Sequence, residues 1–210
     1  MKVLILTNGI ENYKFLLSAT EKFREDVLIS FYGKYEWDFN FDYDIGISFM
    51  YQHRVPKEQL KKPWFNFHPA PLPKYKGRNL CYHAIMNGET RFGASVHYMD
   101  ENFDTGDIID VWKFDIEESW TAGDLSERTM YDSKLMFKHF FPRILAGDDF
   151  IRLPNPRGVY FKKSPISDLV TFSDERCEYF LKNEIRAITY GDFYPKIDIG
   201  GVTYKIVRDE

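Results

Sequence analysis

The sequence predicts an α/β fold: a doubly wound sheet covered by helices, with a small helix and β-hairpin at its C-terminal end. Three observations predict it. Short apolar runs of strand length alternate with stretches of helical periodicity, and the first run, Val3–Thr7, closes on Asn8-Gly9. Late in the chain, Leu153-Pro-Asn-Pro-Arg-Gly158 combines two prolines and a glycine, and a different pattern follows it. Alternating strands and helices bury both faces of a sheet and favour right-handed crossovers.

Taken in order, Val3–Thr7 is a short apolar run, as expected of a strand buried in a parallel sheet. Between Asn12 and Asp26, Phe15, Leu16, Ala19 and Phe23 recur at helical spacing. Val27–Tyr32 and Asp44–Met50 read as the next strands, and Pro56–Leu60 as a short helix with proline at its first position. Trp64–His68 is a fourth strand. Three prolines in Pro69-Ala-Pro-Leu-Pro-Lys-Tyr-Lys-Gly77 exclude a helix or central strand and leave a stiff, ordered loop. Asn79–Asn87 reads as a helix closed by Gly88. Ala94–Met99 and Ile108–Phe114 are strands flanking an acidic loop from Asp100 to Asp107. Thr121 and Asp124 form a capping box for a helix running to Leu145, before Gly147. Beyond Gly158 the pattern gives a helix at Ser173–Ile185. A hairpin follows, Tyr194–Ile199 with Val202–Val207, turning through Gly200-Gly201. The expected division is a core over residues 1–152 and a C-terminal element over 153–210.

Composition narrows the function. The 210 residues carry 28 Lys+Arg against 32 Asp+Glu, a net charge of −4, which argues against a protein living on nucleic acid or an anionic membrane. No apolar run nears the roughly 20 residues a bilayer span needs. The N-terminal run is too short for a signal-peptide core and lacks a small-residue cleavage site. Cys81 and Cys177 have no metal or redox spacing, and no histidines fall at ligand spacing, so no metal is expected. The expectation is a soluble cytoplasmic protein. Aromatic residues make up 18% of the chain, with 19 Phe, 14 Tyr and 4 Trp, enough to line a stacking surface as well as a core.

Chemistry converges mid-chain. Asn66 and His68 lie two apart at the C-terminal end of a strand, on one side of it, where open α/β sheets bind ligands. The proline loop follows at once and can wall a cleft. Asp104-Thr-Gly-Asp107-Ile108 holds a carboxylate on a glycine turn beside the next strand. Singly, each has a structural explanation, the Asp turn above all; their order and spacing carry the signal.

In these stretches the chain resembles the folate-dependent formyltransferases. The matching residues are Asn66-Phe-His68-Pro69-Ala-Pro-Leu-Pro-Lys74-Tyr75-Lys76-Gly77, then Ala84-Ile85-x-Asn87-Gly88, then Gly93-Ala-Ser-Val-His97, then Asp104-Thr-Gly-Asp-Ile108. They follow the family's N-x-H…L-P-x-x-x-G…A-I-x-x-G…G-x-S/T-x-H…D-x-G-x-I order, and the resemblance covers about residues 44–146. It implies a Rossmann-like formyltransferase core, here with a shortened N-terminal half. It also implies 10-formyltetrahydrofolate as formyl donor and Asn66, His68 and Asp104 as catalytic residues. The chemistry agrees: an amine attacks the formyl carbon, an oxyanion develops, and one proton must leave the amine while another reaches the folate nitrogen. Asn66 offers an amide N–H without titrating. His68 and Asp104 can move the proton, and which of them is the base stays open. His97 either faces the site or packs inside.

For folate, the resemblance nominates Phe49, Met50, Tyr51, Asp100 and Asp107. For the acceptor it nominates Pro69, Lys74, Tyr75, Lys76, Gly77, Arg78 and Asn79, with the cations for a pyrophosphate or simply solvated. The first turn, Thr7-Asn-Gly-Ile-Glu-Asn12, has one glycine and an acidic residue, unlike a phosphate-cradling loop. That weakens glycinamide ribonucleotide as acceptor, although this purine-synthesis reaction is the main alternative. An acidic chain of this length is unlike the enzyme acting on initiator tRNA. The sugar N-formyltransferases remain, through the Lys74–Asn79 loop and the Tyr160-Phe-Lys-Lys163 tail. They imply a nucleotide-linked amino sugar, a dTDP-linked 3-amino or 4-amino dideoxy sugar for bacterial surface polysaccharide, and a homodimer. A non-catalytic binding module is a further alternative, disfavoured because all three catalytic residues are present.

Overall fold

A computed structural model of the chain describes residues 1–31, 42–162, 166, 178–199 and 201–207. In chain order these form β1 (Val3–Thr7), α1 (Ile10–Ala19), β2 (Val27–Phe31), β3 (Ile45–Phe49) and β4 (Trp64–His68). Next come β5 (Tyr75–Gly77), α2 (Leu80–Met86), β6 (Arg91–Tyr98), β7 (Ile108–Asp115) and α3 (Ala122–Leu145). The chain ends with β8 (Val159–Phe161), α4 (Glu178–Ile188), β9 (Lys196–Ile199) and β10 (Val202–Lys205). Several expectations fall outside the described residues: the last strand residue Tyr32, Lys163, helix residues 173–177 with Cys177, and Gly200 of the hairpin turn.

The first apolar run forms the second strand of a six-stranded sheet ordered β2-β1-β3-β4-β6-β7. β1 is buried throughout and pairs in parallel with β2 on one side and β3 on the other. β4 lies parallel to β3, while β6 runs antiparallel to both β4 and β7. Strand order therefore reverses at β1/β3, and the crevice at the C-terminal ends there is the ligand position of open α/β sheets.

Strand alternation divides the chemistry. Phe65 and Phe67 of β4 enter a core with Phe49, Val96, Phe137, Phe140 and Phe141, roofed by α1 and α3. Trp64 packs on the opposite side with Leu4, Leu6, Tyr43 and Val55. Its indole lies where a side chain on Gly46 would stand: a Cβ there would meet the ring at 2.1 Å. Asn66 and His68 share Trp64's side of the strand. A third cluster, including Tyr75, Leu80, Phe92, Phe114, Leu125 and Ala187, ties the proline loop to α2, α3 and α4.

Some elements differ from expectation. α1 begins at Ile10 and stops at Ala19, because Thr20 leaves helical geometry (φ −105°, ψ 5°) with its hydroxyl bonded to the Leu16 carbonyl. A 3-10 turn, Glu21–Phe23, follows. Pro56–Leu60 is not a regular helix; a 3-10 turn covers Gln59–Lys61. The proline loop ends in β5, which pairs in parallel with β8. α3 opens on the expected capping box, Thr121 and Asp124 each bonding the other's backbone N–H. Residues 153–158 are mostly exposed but tied to the core by hydrogen bonds: Leu153 bridges Ile108, and the Lys76 ammonium donates to the Pro156 carbonyl at 2.9 Å. Among the described residues no helix is long and apolar enough to cross a membrane.

Candidate active site

A cleft of about 890 Å³ opens at the β1/β3 crevice and extends over the end of β4. Asn66, His68 and Asp104 all line it. Asn66 and His68 come from β4; Asp104 comes from the loop before β7, where its backbone is left-handed, φ 59°. Met50 (φ 58°) and Asn79 (φ 57°), the other described non-glycine residues with positive φ, line the same cleft. Such conformations persist only where surrounding structure over-determines them, and they gather at functional sites.

Asp104 is the hub. One carboxylate oxygen lies 3.3 Å from His68 Nδ1 and 3.5 Å from Asn66 Nδ2; the other accepts the Gly77 backbone N–H at 2.9 Å. His68 is buried, and its Nε2 donates to the Tyr75 carbonyl at 2.9 Å. Both ring nitrogens thus face acceptors. Either nitrogen reaches a substrate by giving up one of these partners.

His97 sits directly opposite Asn66 in the β4/β6 register and belongs to the same constellation. Its Nδ1 donates to the Tyr98 carbonyl at 2.6 Å, so its Nε2 accepts from the Asn66 amide at 3.0 Å. Burial, reinforced by neighbouring His68 and only partly opposed by Asp104, pushes the His97 pKa down to about 4. His97 is therefore a neutral acceptor near pH 7 and fixes the Asn66 amide, whose second N–H makes only the long 3.5 Å contact to Asp104. Ser95, two residues earlier on the same face, donates to the Ala70 carbonyl and accepts from Leu72 N, fastening the proline loop. The G-x-S-x-H motif thus builds the floor of the site.

Of the binding candidates, Met50, Tyr51, Asp100, Pro69, Gly77, Arg78 and Asn79 line the cleft. Five others do not. Phe49 is fully buried, its ring 5.5 Å from those of Phe15 and Phe137, because it faces the opposite side of β3's end from Met50. Tyr75 is buried and stacked on Phe161, with its hydroxyl held between Glu89 and Asn87. Lys74 pairs with Glu89 at 2.6 Å. Lys76 is buried under residues 153–158, and this burial lowers its pKa. Asp107 turns outward to Arg152, 3.7 Å away. The reason is common to the loop: it is clamped between Glu89 on one side and β8 on the other. Arg78 alone of its three cations reaches the cleft, with its guanidinium on Gln52. Cys81 also lines the cleft, but burial pushes its thiol up to about 12, so it is no nucleophile. Among the described residues no cluster of three or more His, Cys, Asp or Glu is arranged to hold a metal.

A protein-family model described as formyl transferase matches residues 42–138. The GDP-perosamine N-formyltransferase of Brucella melitensis is 33% identical over 178 residues, covering 82% of this chain and 67% of that one. The chain belongs to the formyltransferase family. It is an N-formyltransferase, and its mixed α/β core is the family's fold. Among solved structures, a 4-N formyltransferase from Francisella tularensis superposes with a TM-score of 0.82 at 19% identity, over 99% of this chain and 97% of the other. The N-formyltransferase of Helicobacter canadensis, solved with folinic acid and dTDP-3-aminofucose, gives 0.79 at 23% identity, over 96% and 85%.

Proposed function

We propose that this formyltransferase moves the formyl group of 10-formyltetrahydrofolate onto the amine of a nucleotide-linked amino sugar, a dTDP-linked 3-amino or 4-amino dideoxy sugar. The observation that carries this reading is the convergence of Asn66, His68 and Asp104 at the end of β4, in a cleft large enough for two sizeable ligands. Relatives support the ligand classes: the Helicobacter structure holds a folate and a dTDP-amino sugar. The Brucella relative favours one specific variant, GDP-perosamine.

The proposed chemistry begins with attack of the sugar amine on the formyl carbon. The formyl oxygen gains the electron pair as an oxyanion, which the Asn66 N–H now making the long Asp104 contact is placed to receive. The proton released by the amine passes through the His68–Asp104 pair, directly or by water. Collapse breaks the bond to the folate nitrogen, which takes up a proton, leaving formamide product and tetrahydrofolate. Met50 and Tyr51 would flank the folate, and Arg78 would meet the pyrophosphate. A homodimer and a cytoplasmic role in surface-polysaccharide synthesis complete the reading; the exposed Ile199, Val202 and Tyr204 of the β9–β10 hairpin offer a contact surface.

The test is direct. Purified protein is incubated with 10-formyltetrahydrofolate and each of dTDP-3-amino sugars, dTDP-4-amino sugars, GDP-perosamine and glycinamide ribonucleotide, and products are weighed by mass spectrometry. A gain of one formyl group on a dTDP-amino sugar is expected; a gain only on glycinamide ribonucleotide overturns the sugar reading. His68→Ala and Asp104→Ala should each abolish transfer while circular dichroism stays unchanged, and near-normal turnover in either removes that residue from the mechanism.

A further inference from the structure

Asp104 meets His68 and Gly77 from a left-handed backbone, φ 59°, and a side chain that holds this turn lies about fifty residues further along the chain. Inside the loop, Asp100 caps the Asn102 N–H and the Thr105 hydroxyl, which shapes the turn but leaves the Asp104 carbonyl untouched. That carbonyl accepts from the Asn155 side chain at 3.1 Å, and the same amide nitrogen donates to the Gly106 carbonyl at 2.8 Å. Two carbonyl acceptors on one nitrogen fix which way the amide points. Its oxygen, Oδ1, faces away and is buried without a partner among the described residues. A buried acceptor left unmade is unfavourable, so packing alone does not select an asparagine here; the two donated bonds do.

Asn155 is itself held on both sides. Leu153 exchanges both backbone hydrogen bonds with Ile108 at 2.9 Å. The Pro156 carbonyl accepts from Lys76, and Gly158 lies so close to the Pro73 carbonyl that a Cβ would meet it at 2.0 Å. The segment is a strap across the two loops that complete the site, the one bearing Gly77 and the one bearing Asp104. We infer that Asn155 is a positioning residue for formyl transfer: its amide clamps the Asp104 and Gly106 carbonyls and so aims the Asp104 carboxylate at His68 Nδ1 and the Gly77 N–H. This rests on the proposed role of Asp104.

The experiment compares Asn155→Ala, Asp104→Asn and the double variant, in steady-state kinetics with 10-formyltetrahydrofolate and the acceptor identified by the panel above. Misaiming a reacting group by about an ångström lowers turnover by up to about 100-fold. Asn155→Ala should therefore lose about 10- to 100-fold in kcat, with KM for both substrates within about twofold and the melting temperature retained. In the Asp104→Asn background the same change should alter the residual kcat by less than about twofold, because two residues acting through one group do not add. Asn155→Leu, which keeps the branched shape and removes both donors, gives the same reading if the alanine variant is insoluble. A folded Asn155 variant with kcat near that of the unmodified protein, beside a crippled Asp104→Asn, overturns this inference alone. An undiminished loss in the double variant also overturns it. Full activity in Asp104→Asn instead removes Asp104 from the mechanism and this inference with it.

Discussion

His97 holds the Asn66 amide only while its ring is neutral, and burial keeps it so, with a folded pKa near 4 against an ordinary value of 6.5. The unfolded chain binds that proton at higher pH than the folded one. Stability from this residue is therefore complete above pH 6.5, falls as pH drops, and is gone near pH 4. A shift of this size corresponds to about 3 kcal/mol. Thermal melts at pH 7.5 and 5 should show the unmodified protein losing more stability over that interval than His97→Gln; equal losses would mean that His97 does not titrate there. Asn66→Ala should lower kcat about 100- to 1,000-fold if its amide receives the oxyanion, and a merely raised KM would put it in binding instead. The three proposed catalytic residues were legible because each sits in a motif and the motifs come in order. The partnership of His97 was half legible: alternation puts it on one of two faces, and only the β4/β6 register decides which. Asn155 carried no signal, since its partners are backbone carbonyls of a distant loop and nothing in Pro-Asn-Pro names them.

The central strands and α3 were readable because the forces that make them are local: short, mainly apolar runs in β1 and β3, a capping box before α3. β5 and β8 were not, because three-residue strands exist only through each other. Gly77 shows why: at φ 98°, with a Cβ position 2.1 Å from the Phe161 carbonyl, it lets the two strands touch and leaves its N–H free for Asp104. Two other glycines separate packing from backbone strain. Gly147 ends α3 at φ 75° with nothing within 4 Å of a Cβ, so Gly147→Ala should lower stability by about 1 kcal/mol and leave kcat unchanged. Gly106 lies against the Tyr98 carbonyl, where a Cβ would meet the oxygen at 2.0 Å and the turn carrying Asp104 would have to move. Gly106→Ala should therefore lose at least about tenfold in kcat as well as stability. Denaturant melts and turnover measured on the same preparations check both, and full turnover in Gly106→Ala would show that the Asp104 turn tolerates displacement.

At the scale of the molecule, the aromatic excess has a use that composition alone did not reveal. Phe137 of α3 meets Phe15, Phe49, Phe67 and Phe141 with ring centroids 5.0 to 5.8 Å apart. Rings from two helices and two strands thus interlock beneath the sheet, and Phe49, by sequence a candidate for stacking on folate, belongs to them. Sequence could count the rings but not assign them, because Phe49 and Met50 are neighbours and a single residue of strand phase separates core from cleft. The same phase insulates chemistry from core: Phe65 and Phe67 face the rings, while Asn66 and His68 face the cleft. Phe137→Ala should thus lower stability by about 3–5 kcal/mol, with kcat per folded molecule at low temperature within about threefold of the unmodified enzyme, since no proposed catalytic residue touches the ring. Tyr51→Ala, on the cleft side, should do the reverse, raising the KM for 10-formyltetrahydrofolate while leaving the melting temperature within a few degrees. If Phe137→Ala instead loses turnover in proportion to stability, the two faces of β4 are mechanically coupled, and the aromatic layer positions the catalytic edge as well as holding the sheet.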